Sequence, residues 1–255
     1  MNLDLDGRSI FVAGGSRGIG LGIVEACLAE GARVGFTARG AEALEATRAR
    51  LADQHGADRV WASAGDMRDS ATIDRALAEA EAALGPLWGA VANVGLHPCP
   101  PGFEVDDETW EAGLSQNLGS AFRLARGALR LMSPRNEGAI VLITSVAGGT
   151  ALGTPLTYGT SKAAMNHMTK ELARVSGKVR VNALAPGNIV FPGGEWEERS
   201  QGPRAQAWER WIKREVPLQR FGTPEETGAV AAFLLSPRAS FVHGAIVPVD
   251  GGQTR

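Results

Sequence analysis

Cysteine, tyrosine and long apolar runs are scarce in this chain of 255 residues. The two cysteines, Cys27 and Cys99, have neither metal-ligand spacing nor redox spacing, so we predict free thiols and no metal site. Apolar runs such as residues 229–235 are far shorter than the ~20 residues that a membrane-spanning helix needs. Asp4 and Asp6 stand where a signal peptide would be basic, so we expect a cytoplasmic protein that is not exported.

The chain also lacks any block of charge of one sign. Lysine and arginine number 26 and aspartate and glutamate 28, which gives a formal net charge of −2. A nucleic-acid-binding protein would be expected to carry a basic face, so we predict neither a nucleic-acid partner nor a membrane partner. Internal repeats and long Pro/Gly/Ser linkers are absent, and 44% hydrophobic residues suffice for one large core. We therefore predict a single domain over residues 1–255.

Short apolar runs alternate with amphipathic stretches along most of the chain. In the stretch 69–84, for example, Ile73, Leu77, Ala80 and Leu84 fall on one helical face. Near-continuous apolar strands alternating with helices are typical of a parallel sheet covered on both faces. The fold predicted is a doubly wound, mostly parallel, seven-stranded α/β sheet of the Rossmann type. Its candidate strands cover residues 9–13, 33–37, 59–62, 87–92, 139–145, 179–185 and 245–249.

A glycine-rich turn follows the first predicted strand and leads directly into a helix. Glycines let the chain turn sharply and let a pyrophosphate approach the backbone N–H groups at the helix N-terminus. The alternative is an ordinary tight turn between a strand and a helix, but the position at the first βα junction favours dinucleotide binding. The predicted contacts in this turn are Gly14, Ser16, Arg17, Gly18, Ile19 and Gly20.

The end of the second predicted strand decides between the two nicotinamide cofactors. An acidic residue there would bind the ribose 2′-hydroxyl of NAD, whereas an arginine accommodates the 2′-phosphate of NADP. Ala38 occupies the place of the acid, Arg39 follows it, and Arg17 adds a second guanidinium from the glycine turn. We therefore predict NADP(H), with NAD as the alternative in which both arginines are solvated surface residues.

Tyr158 is the only tyrosine in the chain, and it precedes Lys162 by four residues. On a helix this spacing puts both side chains on one face, so we expect the ammonium to lower the pKa of the phenol and make it a usable acid or base. Ser145 closes an apolar strand on the side where open sheets bind ligands. Asn117 lies in the middle of a predicted helix, where its propensity is poor. The alternative is a surface tyrosine that neighbours a lysine by chance.

Together these motifs resemble the short-chain dehydrogenase/reductase family over essentially the whole chain. Ser145, Asn117, Tyr158 and Lys162 match the family's catalytic tetrad. Other matches are the glycine turn, Gly65-Asp66-Met67, Asn93-Val94-Gly95, the stretch Asn182-Ala183-Leu184-Ala185-Pro186-Gly187 and the ending Val249-Asp250-Gly251-Gly252. The stretch Arg220-Phe221-Gly222-Thr223-Pro224-Glu225-Glu226 is similar to the family's 3-oxoacyl-carrier-protein reductase branch.

The resemblance implies further cofactor contacts and a mechanism. Tyr158 would exchange a proton with the substrate oxygen, Ser145 would polarise the carbonyl, Lys162 would hold the ribose, and Asn117 would anchor a water. Tyr158 and Lys162 would thus contact the cofactor as well, and a homo-oligomer, tetramer or dimer, is expected. The other implied cofactor contacts are Asp66, Met67, Asn93, Gly95, Pro186, Gly187 and Ile189.

Three residues depart from the family pattern. Ala13 replaces a threonine before the glycine turn, Val94 is bulkier than the usual alanine, and Phe191 replaces a threonine that touches the cofactor phosphates. Two readings other than an enzyme remain open: a non-catalytic NADP-binding regulator, and a structural subunit of a hetero-oligomeric reductase. The complete tetrad favours the enzyme.

The segment at about residues 188–219 is predicted to form a lid over a pocket for a small carbonyl or alcohol substrate. Three of the six tryptophans, Trp196, Trp208 and Trp211, fall in it. They would either select an apolar or ring-bearing substrate or simply dock a lid helix on the core. The candidate substrate contacts are Ser145, Tyr158, His97, Phe191 and Trp196.

Overall fold

The computed structural model describes residues 2–95 and 101–254. Seven strands in these ranges form one sheet in the order β3-β2-β1-β4-β5-β6-β7, and every pairing is parallel. The predicted doubly wound α/β fold is therefore confirmed. The strands are β1 (Ser9–Ala13), β2 (Arg33–Ala38), β3 (Val60–Ala64), β4 (Leu87–Ala92), β5 (Ala139–Ile143), β6 (Arg180–Pro186) and β7 (Ile246–Val249). His97, a predicted substrate contact, lies outside the described residues.

Helices cover both faces of the sheet. They are α1 (Gly18–Ala29), α2 (Ala41–His55), α3 (Ser70–Leu84), α4 (Asp107–Leu114), α5 (Ser120–Met132), α6 (Leu156–Val175), α7 (Glu195–Gln201), α8 (Ala205–Glu215) and α9 (Pro224–Leu235). Each of these described helices is too short or too polar to cross a bilayer.

Alternation along β1 shows how the sheet supports two cores. Ile10 and Val12 pack with residues of α1, α2 and α9, whereas Phe11 and Ala13 pack with residues of α3, α5 and α6. All five residues of β1 are buried, which is the burial expected of a strand inside a doubly covered parallel sheet. The face predicted for α3 is also the buried one, since Ile73, Leu77, Ala80 and Leu84 all lie inside. Packing on both faces therefore holds β1 in place within the sheet.

The end of α9 is held by a buried cation. The Arg180 guanidinium in β6 donates hydrogen bonds to the carbonyls of Leu234, Leu235 and Ser236, at 2.7, 3.3 and 2.8 Å. Those carbonyls lack partners within the helix and carry its negative dipole end, so a cation there is favourable. Trp88 on β4 adds a donor, its indole Nε1, to the Leu235 carbonyl at 2.9 Å.

Strand order reverses between β1 and β4, where open sheets of this kind form their ligand crevice. One strand end there differs from the prediction in a way that places Ser145. The fifth strand ends at Ile143, two residues early, because Ser145 caps a 3₁₀ turn over Val146–Gly148. The residues between β6 and α9 fold into α7 and α8, and we call residues 188–222 the α7–α8 segment.

Candidate active site

The glycine turn links β1 to α1 at this crevice. The Gly14 and Gly15 amides both donate to the Thr37 carbonyl in β2, at 2.9 and 3.0 Å. Asn93, after β4, donates its side-chain amide to the Gly14 carbonyl at 2.8 Å. Helix α1 begins at Gly18, whose φ of +56° favours glycine, and no side chain caps its first N–H groups. Uncapped N–H groups at a helix N-terminus fit a phosphate, so the turn suits a dinucleotide.

Charged side chains surround the ends of β2 and β3. Asp66 accepts a bidentate hydrogen bond from Arg68, with Nε 2.9 Å from Oδ2, and a bond from the Arg68 backbone N–H at 3.0 Å. These contacts hold the pKa of Asp66 below its ordinary value although partial burial opposes them, and the charge of Arg39 contributes. Sequence reasoning missed Arg68. The signal available was its position two residues after Asp66, on the same side of the crevice as Arg39.

Helix α6 carries Tyr158 and Lys162. The buried ammonium of Lys162, 4% exposed, donates a hydrogen bond to the Ile143 carbonyl at 2.8 Å. Its Nζ lies 5.6 Å from the centre of the Tyr158 ring. Ser145 is 8% exposed, and its hydroxyl accepts from the Ala147 N–H at 3.2 Å. The strand end and the helix therefore bring the predicted serine, tyrosine and lysine to one place.

Burial dominates the ionisation of this group. It lowers the pKa of Lys162 to about 8. It also raises the pKa of Tyr158, against a hydrogen bond with Ser145 that lowers this pKa and with a further increase from the Glu195 carboxylate. The expectation that the phenol's pKa lies below its ordinary value is therefore wrong, because burial of the phenolate raises it. Tyr158 is consequently a protonated donor near neutral pH.

Asn117 lies in a π-helical turn, Ser115–Gly119, between α4 and α5. The wider turn accommodates an asparagine that a regular helix disfavours, and such turns are frequent at functional sites. Its amide donates to the Gly113 carbonyl at 3.0 Å. A Cβ on Gly95 would lie 3.0 Å from Asn117 Oδ1 and 3.2 Å from Lys162 Nζ. Both polar groups thus converge on Gly95, which has no side chain to keep them apart.

The other predicted cofactor residues lie around the same edge of the sheet. Pro186 ends β6, and Gly187 follows it with its N–H bonded to the Val249 carbonyl at 3.0 Å. Ile189 is buried and forms a bridge with Gly222. Met67 is buried against the core on the α3 side. These residues therefore border the crevice, with the two hydrophobic ones turned into the protein.

Comparison with known proteins gives the family. A protein-family model described as Enoyl-(Acyl carrier protein) reductase matches residues 13–254. The chain belongs to the short-chain dehydrogenase/reductase family. It is 34% identical over 253 residues to the 3-oxoacyl-[acyl-carrier-protein] reductase MabA of Mycobacterium tuberculosis, covering 96% of this chain and 92% of the relative. It is 37% identical over 255 residues to galactitol 2-dehydrogenase (L-tagatose-forming) of Cereibacter sphaeroides, covering 98% and 96%.

Solved structures agree with this assignment. L-sorbose reductase from Gluconobacter frateurii, complexed with NADPH and L-sorbose, superposes with a TM-score of 0.91 at 29% identity and covers 100% of this chain and 99% of that one. A putative short-chain alcohol dehydrogenase from Sinorhizobium meliloti gives 0.89 at 35% identity, with 99% and 98% covered. This short-chain dehydrogenase/reductase is therefore a nicotinamide-dependent oxidoreductase by family.

Phe191 is the departure from the family pattern with the largest structural effect. Its ring lies against Gly18 of the glycine turn, where an added Cβ would come within 2.8 Å of two ring atoms. The same ring lies against Gly194, just before α7, with the nearest approach again 2.8 Å. A predicted substrate contact is thus placed on the predicted phosphate site. Val94, the second departure, packs on the α5 side of the sheet.

Trp196 lies inside an aromatic cluster. Its ring centre is 5.6 Å from that of Trp208, 5.9 Å from Trp211 and 5.5 Å from Phe221. The Arg199 guanidinium lies over both Trp196 and Trp208, 4.9 and 4.8 Å from their centres. These mutual contacts are the ones expected if the tryptophans hold α7 and α8 together.

Proposed function

We propose that this protein is an NADP(H)-dependent oxidoreductase that transfers a hydride between nicotinamide and a carbonyl or secondary alcohol. The observation that carries the proposal is the assembly of Ser145, Tyr158, Lys162 and Asn117 beside an uncapped glycine turn. The only tyrosine of the chain lies in that assembly. A small-molecule substrate fits the crevice at the reversal of strand order.

Each member of the tetrad has a role in the proposed reaction. When bound, the cofactor supplies or accepts the hydride. In the reductive direction Tyr158 donates its proton to the developing alkoxide, which suits a phenol whose pKa burial raises. Ser145 donates a hydrogen bond to the same oxygen and polarises the carbonyl. Lys162 holds the ribose, and Asn117 anchors a water that passes protons toward Lys162.

The preference for NADP(H) rests on the cations around the adenosine end. Arg39 follows β2 with no acid at Ala38, and Arg17 is the residue directly before α1. The Asp66 carboxylate is paired with Arg68, so its charge repels a 2′-phosphate bound near Arg39 less. Arg39→Asp is expected to invert the preference. The measurement is the ratio of the dissociation constants of NADPH and NADH, and an unchanged ratio would leave NAD as the better assignment.

The α7–α8 segment is proposed to act as a lid on the substrate side. The Glu195 carboxylate, at the start of α7, contributes to the raised pKa of Tyr158, which supports a position of the segment beside the reacting centre. Phe191 and Trp196 are the proposed substrate contacts from this segment. Relatives named for galactitol, sorbose and 3-oxoacyl substrates make ketoses and 3-oxoacyl thioesters the first compounds to assay for reduction.

The deciding experiment is an assay of purified protein with NADPH and, separately, with NADH. The panel comprises ketoses, 3-oxoacyl thioesters, cyclic ketones and aromatic aldehydes. Oxidation of NADPH or NADH is followed by absorbance for the wild type and for the Tyr158→Phe variant. Turnover that disappears in this variant while NADPH still binds is the expected result. Tight NADPH binding without turnover on any substrate would favour a regulator or a structural subunit. No binding of either cofactor would overturn the proposal.

We also propose a cytoplasmic homo-oligomer, a dimer or tetramer. The α5 face supports this, because Phe122 there is 43% exposed beside Leu129 and Pro134. Native mass spectrometry of the purified protein tests the proposal, and a monomer at micromolar concentration would contradict it.

A further inference from the structure

Phe191 joins two parts of the molecule that are far apart in sequence. Its ring lies between Gly18, the first residue of α1, and Gly194, the residue before α7. At both positions a Cβ would clash with the ring at 2.8 Å, so each contact needs glycine on the facing backbone. The ring therefore covers the backbone of the glycine turn at close range.

The covered place is the one a pyrophosphate needs. The N–H groups at the start of α1 have no side-chain cap, and their dipole favours an anion. A phenyl ring offers an anion no N–H or O–H donor, and it occupies space that phosphate oxygens would need beside Gly18. We propose that Phe191 closes the pyrophosphate subsite of the free protein and that the ring withdraws before NADP(H) can bind. This inference rests on the function proposed above.

The ring is coupled to the rest of the α7–α8 segment. The Gly194 N–H donates to the Phe191 carbonyl at 3.0 Å, so the start of α7 follows any movement of Phe191. The Arg17 guanidinium lies 3.5 Å from the Gly193 carbonyl and adds a second, weaker link between the turn and the segment. Gly193 lies between Phe191 and Gly194 with a φ of +69°, a conformation that favours glycine. Withdrawal of the ring is therefore expected to displace the start of α7, where Glu195 lies.

The base of the segment does not share this freedom. The Val190 N–H donates to the Gly222 carbonyl at 2.9 Å, and the Gly222 N–H donates to the Asn188 carbonyl at 3.0 Å. Asn188 is itself bonded through its amide to Gln253 at 2.8 Å. Movement is thus confined to residues after Val190, and Phe191 is the first of them. Opening can occur without breaking β6 or β7.

The test compares NADPH association in the wild type, Phe191→Ala and Phe221→Ala. Phe221→Ala is the matched control because it removes a phenyl ring from the same segment. The ring of Phe221 packs on Trp196 and not on Gly18. If the open form is about a tenth of the free protein, Phe191→Ala raises the association rate constant about tenfold. Stopped-flow fluorescence of NADPH measures it. An unchanged rate in Phe191→Ala, or an equal rise in Phe221→Ala, would overturn the proposal.

A ligand without a pyrophosphate distinguishes closure of the pyrophosphate subsite by the Phe191 ring from a general loosening of the protein. Adenosine 2′-monophosphate engages the adenosine and 2′-phosphate side only, so its dissociation constant is expected to be the same in wild type and Phe191→Ala. A parallel gain for this ligand would count against the proposal. Phe191→Thr, which also removes the ring, serves if the alanine variant does not fold, and it is expected to raise the NADPH association rate constant as well.

Failure of this inference is distinguishable from failure of the proposed function. NADPH that binds at equal rates to wild type and both Phe191 variants would overturn the inference alone. Absence of NADPH and NADH binding in every variant would overturn the proposed function and the inference with it.

Discussion

The ammonium of Lys162 donates a hydrogen bond to the carbonyl of Ile143, 2.8 Å away, at the last residue of β5. Ser145 follows two residues later, so one buried bond ties the helix bearing Tyr158 to the chain bearing Ser145. The relation between these two hydroxyls is therefore set by the core and does not depend on the α7–α8 segment.

Gly95→Ala is expected to damage the site without unfolding the protein. The new methyl group would lie 3.0 Å from Asn117 Oδ1 and 3.2 Å from Lys162 Nζ, so both must move. A displacement near 1 Å costs about 100-fold in turnover. Gly40→Ala is the control, because nothing lies within 4 Å of an added Cβ there. The measurements are kcat and Tm, and equal kcat in both variants would contradict the prediction.

Lys162→Met is expected to change how stability depends on pH. The folded chain holds Lys162 at a pKa of about 8 against an ordinary 10.5, so between these values the unfolded chain binds more protons. The free-energy cost of burying the charged Lys162 side chain is therefore fully present below about pH 8 and disappears as the pH rises to 10.5. The free energy of unfolding of wild type relative to Lys162→Met should rise by about 3 kcal/mol at most across this window.

Urea denaturation at several pH values measures this difference. Lys170→Met is the matched control, since Lys170 lies on the same helix and is exposed. A wild-type minus Lys162→Met difference that stays constant across the window would show that the ammonium is not desolvated.

Glu195→Gln is expected to lower the pKa of Tyr158, because the carboxylate disfavours the phenolate. Since Tyr158 is the only tyrosine, the near-ultraviolet absorbance of phenolate reports this one group directly. The wild-type midpoint should lie above the ordinary value of 10.0. Glu198→Gln, an exposed neighbour on α7, is expected to leave the midpoint unchanged. Identical midpoints in all three proteins would rule out a Glu195 charge near the phenol.

Arg180→Met is expected to cost about 3 kcal/mol of stability. Its guanidinium satisfies the carbonyls of Leu234, Leu235 and Ser236, and methionine would leave them buried with fewer donors. Arg238→Met removes an exposed pair with Asp4 at 3.0 Å and should cost less than about 1 kcal/mol. Chemical denaturation measures the free energy of unfolding of both variants. Equal losses would contradict the role of Arg180 in capping the end of α9.

Local patterns in the sequence were sufficient for the framework. Strand and helix alternation, the glycine turn before α1, and the spacing of Tyr158 and Lys162 are all read within short stretches of chain. They predicted the parallel sheet and the family, and both are confirmed. The enzyme class follows from membership of that family.

Contacts between distant residues could not be read in this way. Phe191 meets Gly18 because β6 ends and α1 begins at the same edge of the sheet. Trp196 meets Trp208 and Phe221 because of how α7 and α8 pack together. The upward shift of the Tyr158 pKa likewise depends on how deeply tertiary packing buries the phenol. The π-helical turn at Asn117 has no sequence signature beyond an asparagine in an unfavourable place.

The hydrogen bonds at the base of the α7–α8 segment also mark the limits of a piece of chain that can be exchanged between proteins. Asn188, Val190 and Gly222 are bonded to one another, and Asn188 is bonded to Gln253, so the chain enters and leaves the segment at adjacent points on a fixed frame. The chain between Phe191 and Phe221 is therefore a natural unit for a chimera, provided that Leu218, whose N–H is bonded to the Gly251 carbonyl at 3.2 Å, is kept in place. A chimera that carries this cassette from a relative with a known substrate would test whether the segment selects the substrate.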